Sequence, residues 1–166
     1  MDEQNLLQTR TTAARLNDTE AEAAVQLINA AYARHAWLFP VDRTSPAELQ
    51  TETARAELLL LKSAQTGDLL ALTAMEVQGD ALFLSLTSVS PAHHGQGYGA
   101  YLIRQTETIA RKQGLARLVL VAIADVGNVD YYRRFGFSST AQTIYPAGAW
   151  GAIASFTVDR MEKHIP

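Results

Sequence analysis

Three apolar segments, Glu57 to Lys62, Leu69 to Val77 and Ala81 to Val89, follow one another with only Ser63–Asp68 and Gln78–Asp80 between them. A parallel crossover needs a dozen or more residues, so loops this short force the three strands to pair as an antiparallel meander. That constraint removes every fold built wholly from alternating strands and helices. The third segment leads into Val89-Ser90-Pro91-Ala92-His93-His94-Gly95-Gln96-Gly97-Tyr98-Gly99-Ala100 and then into the best amphipathic pattern of the chain. Tyr98, Leu102, Thr106 and Ile109 share one side of a predicted helix, Arg104, Glu107 and Arg111 lie opposite, and Gly114 supplies the stop. The unbroken apolar run Leu118–Ala124 then reads as a strand covered on both faces.

Upstream, Thr11–Leu16 reads as a short strand, and Thr19 with Glu22 forms a capping box that opens a helix. Ala24, Leu27, Ile28, Ala31 and Tyr32 give that helix one buried face. Ser45, Pro46 and Glu48 open a second helix running to about Ala56. Downstream, the pattern predicts a short helix over Asn128–Phe135 and a last strand over Ile153–Arg160. The layout is α+β or mixed α/β, and 166 residues suit one domain, 1–166, with one core.

There is no cysteine, which excludes disulfides, thiolate metal sites and covalent catalysis by a protein thiol. A net charge of −3 is the wrong sign for binding phosphate backbones, so no nucleic-acid partner is expected. His35, His93, His94 and His164 lack metal-ligand spacing, so no metal is expected either. Met1–Arg10 lacks the pattern of a secretory leader, and no apolar run is long enough to span a bilayer; the expectation is a cytoplasmic protein that does not engage membranes.

The glycine-rich turn carries the chemistry. Glycines at 95, 97 and 99 allow a tight turn and close approach of a ligand, and the helix start beyond them points free N–H groups and a positive dipole end into the turn. A pyrophosphate cradle is the physical reading; a turn that is glycine-rich for steric reasons alone is the bland one. No Gly-Lys-Ser or Gly-Lys-Thr follows, which sets aside a mononucleotide P-loop. Gly95, Gly97 and Ala100 do satisfy a loose dinucleotide fingerprint with Asp125 after the next strand, but the hairpins ahead of the turn argue against that fold.

Val89 and Pro91 followed by His94-Gly95-Gln96-Gly97-Tyr98-Gly99, together with Tyr131-Tyr132-Arg133-Arg134-Phe135-Gly136-Phe137, resemble the two motifs of the GCN5-related N-acetyltransferases, the GNAT superfamily. The order of elements agrees over nearly the whole chain. The resemblance implies an acyl-CoA N-acyltransferase fold: a mixed sheet of six to seven strands with about four helices, and a V-shaped opening between the parallel fourth and fifth strands. It implies acetyl-CoA as cofactor, with the pantetheine arm along Thr87, Ser88 and Val89 and the pyrophosphate on the turn from His94 through Gly95, Gln96, Gly97, Tyr98 and Gly99 to Ala100. His94 stands where the family usually has Arg or Gln. Asp125 and Asn128 match the region of a further cofactor contact, and are otherwise turn and cap residues. Tyr132 matches the general acid, with Tyr131 as the alternative and core packing as the bland reading.

The resemblance also places an acceptor amine, from a small molecule or a peptide, against His35, Trp37 and Phe39 on one side and Tyr145 and Trp150 on the other, although packing explains the same aromatics. The fourth strand carries no carboxylate, which leaves Ser85, Thr87, Ser88, Glu76, His35 and His93 as candidates for the proton route. The implied activity is direct transfer of acetyl to a primary amine, with homodimerisation left open. Two other classes stay open: a non-catalytic acyl-CoA sensor, and a dinucleotide-dependent oxidoreductase using the same glycines.

Overall fold

In the computed structural model, which describes residues 1–166, the chain runs β1 (Leu6–Thr11), α1 (Asp18–Tyr32), α2 (Pro46–Glu52), β2 (Glu57–Ser63), β3 (Leu69–Gln78), β4 (Ala81–Val89), α3 (Tyr98–Lys112), β5 (Arg117–Ile123), α4 (Asn128–Arg133), β6 (Ser138–Tyr145) and β7 (Phe156–His164). The seven strands form one mixed sheet in the order β1-β2-β3-β4-β5-β7-β6. Only β4 and β5 pair in parallel; all other neighbours are antiparallel. This α+β arrangement overturns the dinucleotide-dependent alternative, whose sheet would be parallel throughout and not only at the pair that flanks the glycine turn.

The period of two along the sheet sorts the side chains. Leu58 and Leu60 join Leu72, Ala74 and Leu86 beneath Ala24, Leu27, Ile28 and Leu49 of α1 and α2. Leu59 and Leu61 join Met75, Leu82 and Leu84 beneath Leu102, Ile103 and Ile109 of α3 on the opposite face. Each fully buried leucine contributes roughly 1.5–3 kcal/mol of transfer free energy. The continuous leucine run is therefore what a strand covered on both sides requires. A third, smaller core gathers Leu38, Ala152, Phe156 and Val158 under Phe39 and Tyr145.

Several boundaries differ from the sequence reading. The first strand is β1, ending at Thr11, and Ala13–Arg15 form a 3-10 turn where Thr11–Leu16 reads as a strand. The side chains of β1 are mostly exposed, so it has no apolar alternation to read. Asn17 and Glu20, two residues ahead of Thr19 and Glu22, make the capping box of α1, because Leu16 then packs against the core on that side. The second helix stops at Glu52, and Thr53 folds its hydroxyl back onto the Leu49 carbonyl at 2.6 Å. The short helix ends at Arg133 and the last strand spans Phe156–His164. The solvent-facing edge strand β6 escapes the pattern altogether. Val121 also departs from the expectation of a fully covered β5, being 47% exposed.

Asp159 on β7 is 4% exposed and accepts hydrogen bonds from Ser139 Oγ (2.6 Å) and Gln142 Nε2 (3.0 Å) of β6. These donors hold its carboxyl below the usual carboxylate range. A depressed folded-state value contributes stability above the ordinary carboxylate pKa and loses it as the pH falls below that value. Asp159→Ala is expected to lower unfolding stability by about 1–3 kcal/mol, since two hydrogen bonds to a buried carboxylate are lost while their donors, on the exposed strand β6, turn to water. The difference from wild type in urea denaturation should shrink toward acid pH; a difference constant down to that range would refute the assignment.

Candidate active site

The pairing of β4 with β5 covers only Ala81–Leu84 against Arg117–Leu120. Beyond it β4 runs to Val89 and β5 to Ile123 as separate walls of a cleft of about 540 Å³. A bulge in β4 marks the point of divergence: Leu86 and Thr87 together stand opposite the single Thr73 of β3. Leu86 has φ 55°, a left-handed conformation costing a non-glycine residue on the order of 1–3 kcal/mol. Its burial on the α1 side holds it there, and the Thr73 hydroxyl secures the bulge through the Ser85 carbonyl (3.3 Å) and the Thr87 hydroxyl (2.8 Å). The β5-facing backbone edge of Ser85–Val89 is left without a strand partner, and Val121 is exposed because it lines the same opening.

At the head of the cleft, Gly95 (φ 73°) and Gly97 (φ 93°) take conformations that favour glycine, and a Cβ on either would project into open space. Gly97 caps α3 without any side-chain hydrogen bond, so no side chain satisfies the first-turn N–H groups of Tyr98, Gly99 and Ala100. A floor that a side chain would fill and a row of free donors at a positive helix end fit a pyrophosphate. A Cβ on Gly99 would run into the Tyr131 hydroxyl, so that glycine is set by packing between α3 and α4.

The expected cofactor residues divide. Thr87, Ser88, Val89, His94, Gly95, Gly97, Tyr98, Gly99, Ala100 and Asn128 line the cleft. His94 turns back to donate from Nε2 to the Val89 carbonyl at 2.8 Å, which commits its ring to the turn. Gln96 donates to the Ala92 carbonyl at 3.3 Å, outside the lining. Asp125 also lies outside it, accepting from the Thr157 N–H at 2.7 Å; its position ties the end of β5 to β7 and does not meet the expectation of a cofactor contact.

Tyr132 and Tyr131 both line the cleft, edge-on to each other with ring centroids 5.2 Å apart. Burial pushes the Tyr132 phenol well above the ordinary tyrosine range, Tyr32 adds to the rise, and the Thr87 hydroxyl opposes it. Burial also raises Tyr131, with Arg134 and Arg34 opposing. Tyr132 is therefore a protonated donor at any ordinary pH, placed beside the bulge of β4.

Of the expected acceptor residues only His35 reaches the lining. Phe39 and Tyr145 pack edge-on and stacked on Phe156 in the third core, Trp150 leans on Tyr145 with ring centroids 4.8 Å apart, and Trp37 is 60% exposed. These aromatics are not among the residues that line the cleft, and Phe39, Tyr145 and Trp150 gather around Phe156 instead. Among the candidates for the proton route, Ser85, Thr87, Ser88, His35 and His93 line the cleft; Glu76 faces elsewhere, beside Arg55. Tyr32, Arg34 and Arg134 also line it and were not among the expected site residues: Tyr32 reads as the end of a core stripe, Arg34 falls just beyond that stripe, and Arg134 lies inside the tyrosine motif without a role of its own.

The model of the acetyltransferase (GNAT) family matches residues 24–137. No curated protein sequence gives a significant match. Among solved structures, the ribosomal-protein-S18-alanine N-acetyltransferase from Escherichia coli superposes with a TM-score of 0.73 at 21% identity, over 96% of this chain and 94% of that one. Escherichia coli ElaA gives 0.67 at 18% identity, over 95% and 99%. A GNAT family acetyltransferase from Elizabethkingia anophelis with acetyl-CoA bound gives 0.67 at 14% identity, over 98% and 99%. At these identities the structural likeness is one of fold. The family match is independent of it and runs from the middle of α1, through the parted strands and the glycine turn, to the Gly136-Phe137 end of the tyrosine motif, and on that match the chain belongs to the acetyltransferase (GNAT) family.

Proposed function

We propose that this acetyltransferase moves the acetyl group of acetyl-CoA directly onto a primary amine of a small molecule or peptide, as a single domain spanning 1–166 in the cytoplasm, with no nucleic-acid or membrane partner. No helix is long and apolar enough to cross a membrane. The open outer edge of β6 is compatible with a homodimer. The observation that carries the reading is the parting of β4 from β5 directly beneath an uncapped glycine turn, with Tyr132 in the wall of the opening.

Acetyl-CoA supplies an activated thioester when bound. The backbone of Thr87, Ser88 and Val89 has the free edge to hold an extended arm as an added strand, and the N–H groups at the start of α3 suit its pyrophosphate. Asn128 and Arg134 line the same cleft. Tyr132 donates from its phenol to the departing sulfur. No Asp or Glu lines the cleft, so the ammonium proton of the acceptor leaves through neutral groups. Burial and Arg34 lower the pKa of His35 and keep its imidazole neutral at pH 7, but its Nε2 lone pair accepts from Arg34 Nε, which leaves the hydroxyls of Ser85, Thr87 and Ser88 to pass the proton on.

Calorimetric titration with acetyl-CoA and, separately, a nicotinamide dinucleotide, followed by thioester consumption with a panel of amines, tests the reading. It expects saturable acetyl-CoA binding, no dinucleotide binding, and turnover with at least one amine. Acetyl-CoA binding without turnover on any amine would favour the non-catalytic sensor. His94→Ala is expected to change acetyl-CoA affinity by no more than about threefold, since its ring is spent on the Val89 carbonyl and the anion site is built of backbone N–H groups. Loss of binding in that variant would show that the side chain, not the backbone, carries the cradle.

A further inference from the structure

We infer that the acceptor amine carries an oxyanion, a carboxylate or a group of the same geometry, and that Arg34 binds it. The inference rests on the cleft being the site of acetyl transfer and names the class of acceptor it takes. The 24 residues that line the cleft include no Asp and no Glu, in a chain where acidic residues outnumber Lys and Arg by 17 to 14. A polyamine or an aminosugar with several ammonium groups would find no counter-charge there. The charged side chains that do face the opening are cations.

Most of the basic residues are otherwise engaged. Arg10, Arg43, Arg55, Lys62, Arg104, Arg117, Arg133, Arg160 and Lys163 all pair with carboxylates. Arg34 and Arg134 have no such partner, and both line the cleft. They come from different elements. The Arg134 guanidinium lies 5.2 Å from the centre of the Tyr131 ring, whose hydroxyl abuts Gly99, so Arg134 belongs with the glycine turn and the phosphates. Arg34 follows α1. Its Nε donates to His35 Nε2 at 3.3 Å, and His35 stands edge-on to Tyr32 with ring centroids 6.5 Å apart.

That arrangement uses one of the five N–H groups of Arg34 and leaves both Nη groups without a protein partner. A planar fork held from one side by a neighbouring ring is the geometry that recognises a carboxylate through two parallel hydrogen bonds. Accepting at Nε2 also puts the neutral His35 proton on Nδ1, a second donor on the neighbouring residue. An oxyanion held here would neutralise the cation that otherwise repels the acceptor ammonium on approach.

The test uses the full chain saturated with acetyl-CoA and follows thioester consumption with L-methionine, L-phenylalanine and L-glutamate, the carboxamide of each, 2-aminoethylphosphonate, spermidine and an alanyl peptide with a free N-terminus. The acids are expected to exceed their carboxamides by tenfold or more in kcat/KM, mainly through KM, with spermidine slower than the best acid. The phosphonate arm separates a general oxyanion site from one shaped for carboxylate. Arg34→Gln should bring the ratio of acid to carboxamide close to one and Arg34→Lys should restore part of it, while acetyl-CoA still titrates with the parent affinity. Carboxamides or spermidine as fast as the acids in wild type, or a ratio that survives Arg34→Gln, would overturn the inference and leave acetyl transfer standing. Acetyl-CoA binding with no turnover on any member would overturn both.

Discussion

Gly97→Val is expected to weaken acetyl-CoA binding by 100-fold or more (about 3 kcal/mol) while the chain still folds. Two effects act together. At φ 93° a β-branched residue is strained by roughly 1–3 kcal/mol whatever surrounds it, so the start of α3 is expected to shift. The added Cβ, which meets nothing within 4 Å in the protein, would project its methyls into the open space before the turn that a phosphate needs. The two causes can be separated by position and by residue type. Gly114, at φ 70° beyond the far end of α3, is also clear of neighbours, so Gly114→Val carries the same kind of strain remote from the cleft and should lower stability without touching affinity. Gly97→Asn, which tolerates the left-handed region, should fold nearly as well as wild type and still bind weakly. Calorimetry for affinity and thermal unfolding for stability read all three. Parent-like affinity in Gly97→Val would mean that the pyrophosphate lies elsewhere.

The middle of the chain was legible because each of its signals is local. Loop length dictated the meander, β4 runs over Ala81–Val89 as its pattern predicts, and the stripe Leu102, Thr106 and Ile109 points into the core. The edges were not legible. β1 and β6 face solvent along most of their length, so burial imprints no alternation on them. The site was legible where it depends on backbone, at Gly95 and Gly97, and obscure where it depends on which elements meet. Nothing in the stripe of α1 reveals that Ala31 and Tyr32 overhang the end of the sheet, so that Arg34 and His35 arrive at the cleft. Nor does the sequence distinguish an aromatic lid from an aromatic core: Phe39 and Tyr145 are uncharged segments until Phe156, far along the chain, packs against both. The left-handed Leu86 has no sequence mark either, because its strain is sustained by contacts with α1 and β3.

Tyr132→Phe is expected to reduce kcat by about 10- to 100-fold and to leave acetyl-CoA affinity within about twofold of wild type. The substitution removes one oxygen and keeps the ring, which packs edge-on to Tyr131 and Phe137. A positioned general acid is commonly worth 100-fold or more. The environment of Tyr132 argues for the lower part of the range. Its phenol is pushed above the ordinary value near 10, whereas a thiol sits near 8.5, so full proton transfer to the free thiolate is uphill by at least about 2 kcal/mol. Tyr132 therefore acts chiefly as a hydrogen-bond donor that strengthens as charge builds on sulfur in the transition state. The pH dependence separates this from a base role. A phenol protonated throughout gives a ratio of wild type to Tyr132→Phe that is flat between about pH 6 and 9, while a phenolate base would make the ratio climb with pH. Tyr131→Phe supplies the contrast: its hydroxyl abuts Gly99 at the phosphate end, so its loss should appear in acetyl-CoA affinity and spare kcat. Thioester consumption with the best amine of the panel, measured for both variants across that range, decides the matter. A loss of kcat in Tyr131→Phe with none in Tyr132→Phe would move the donor by one residue, and parent-like kcat in both would leave the tyrosine pair as cleft packing.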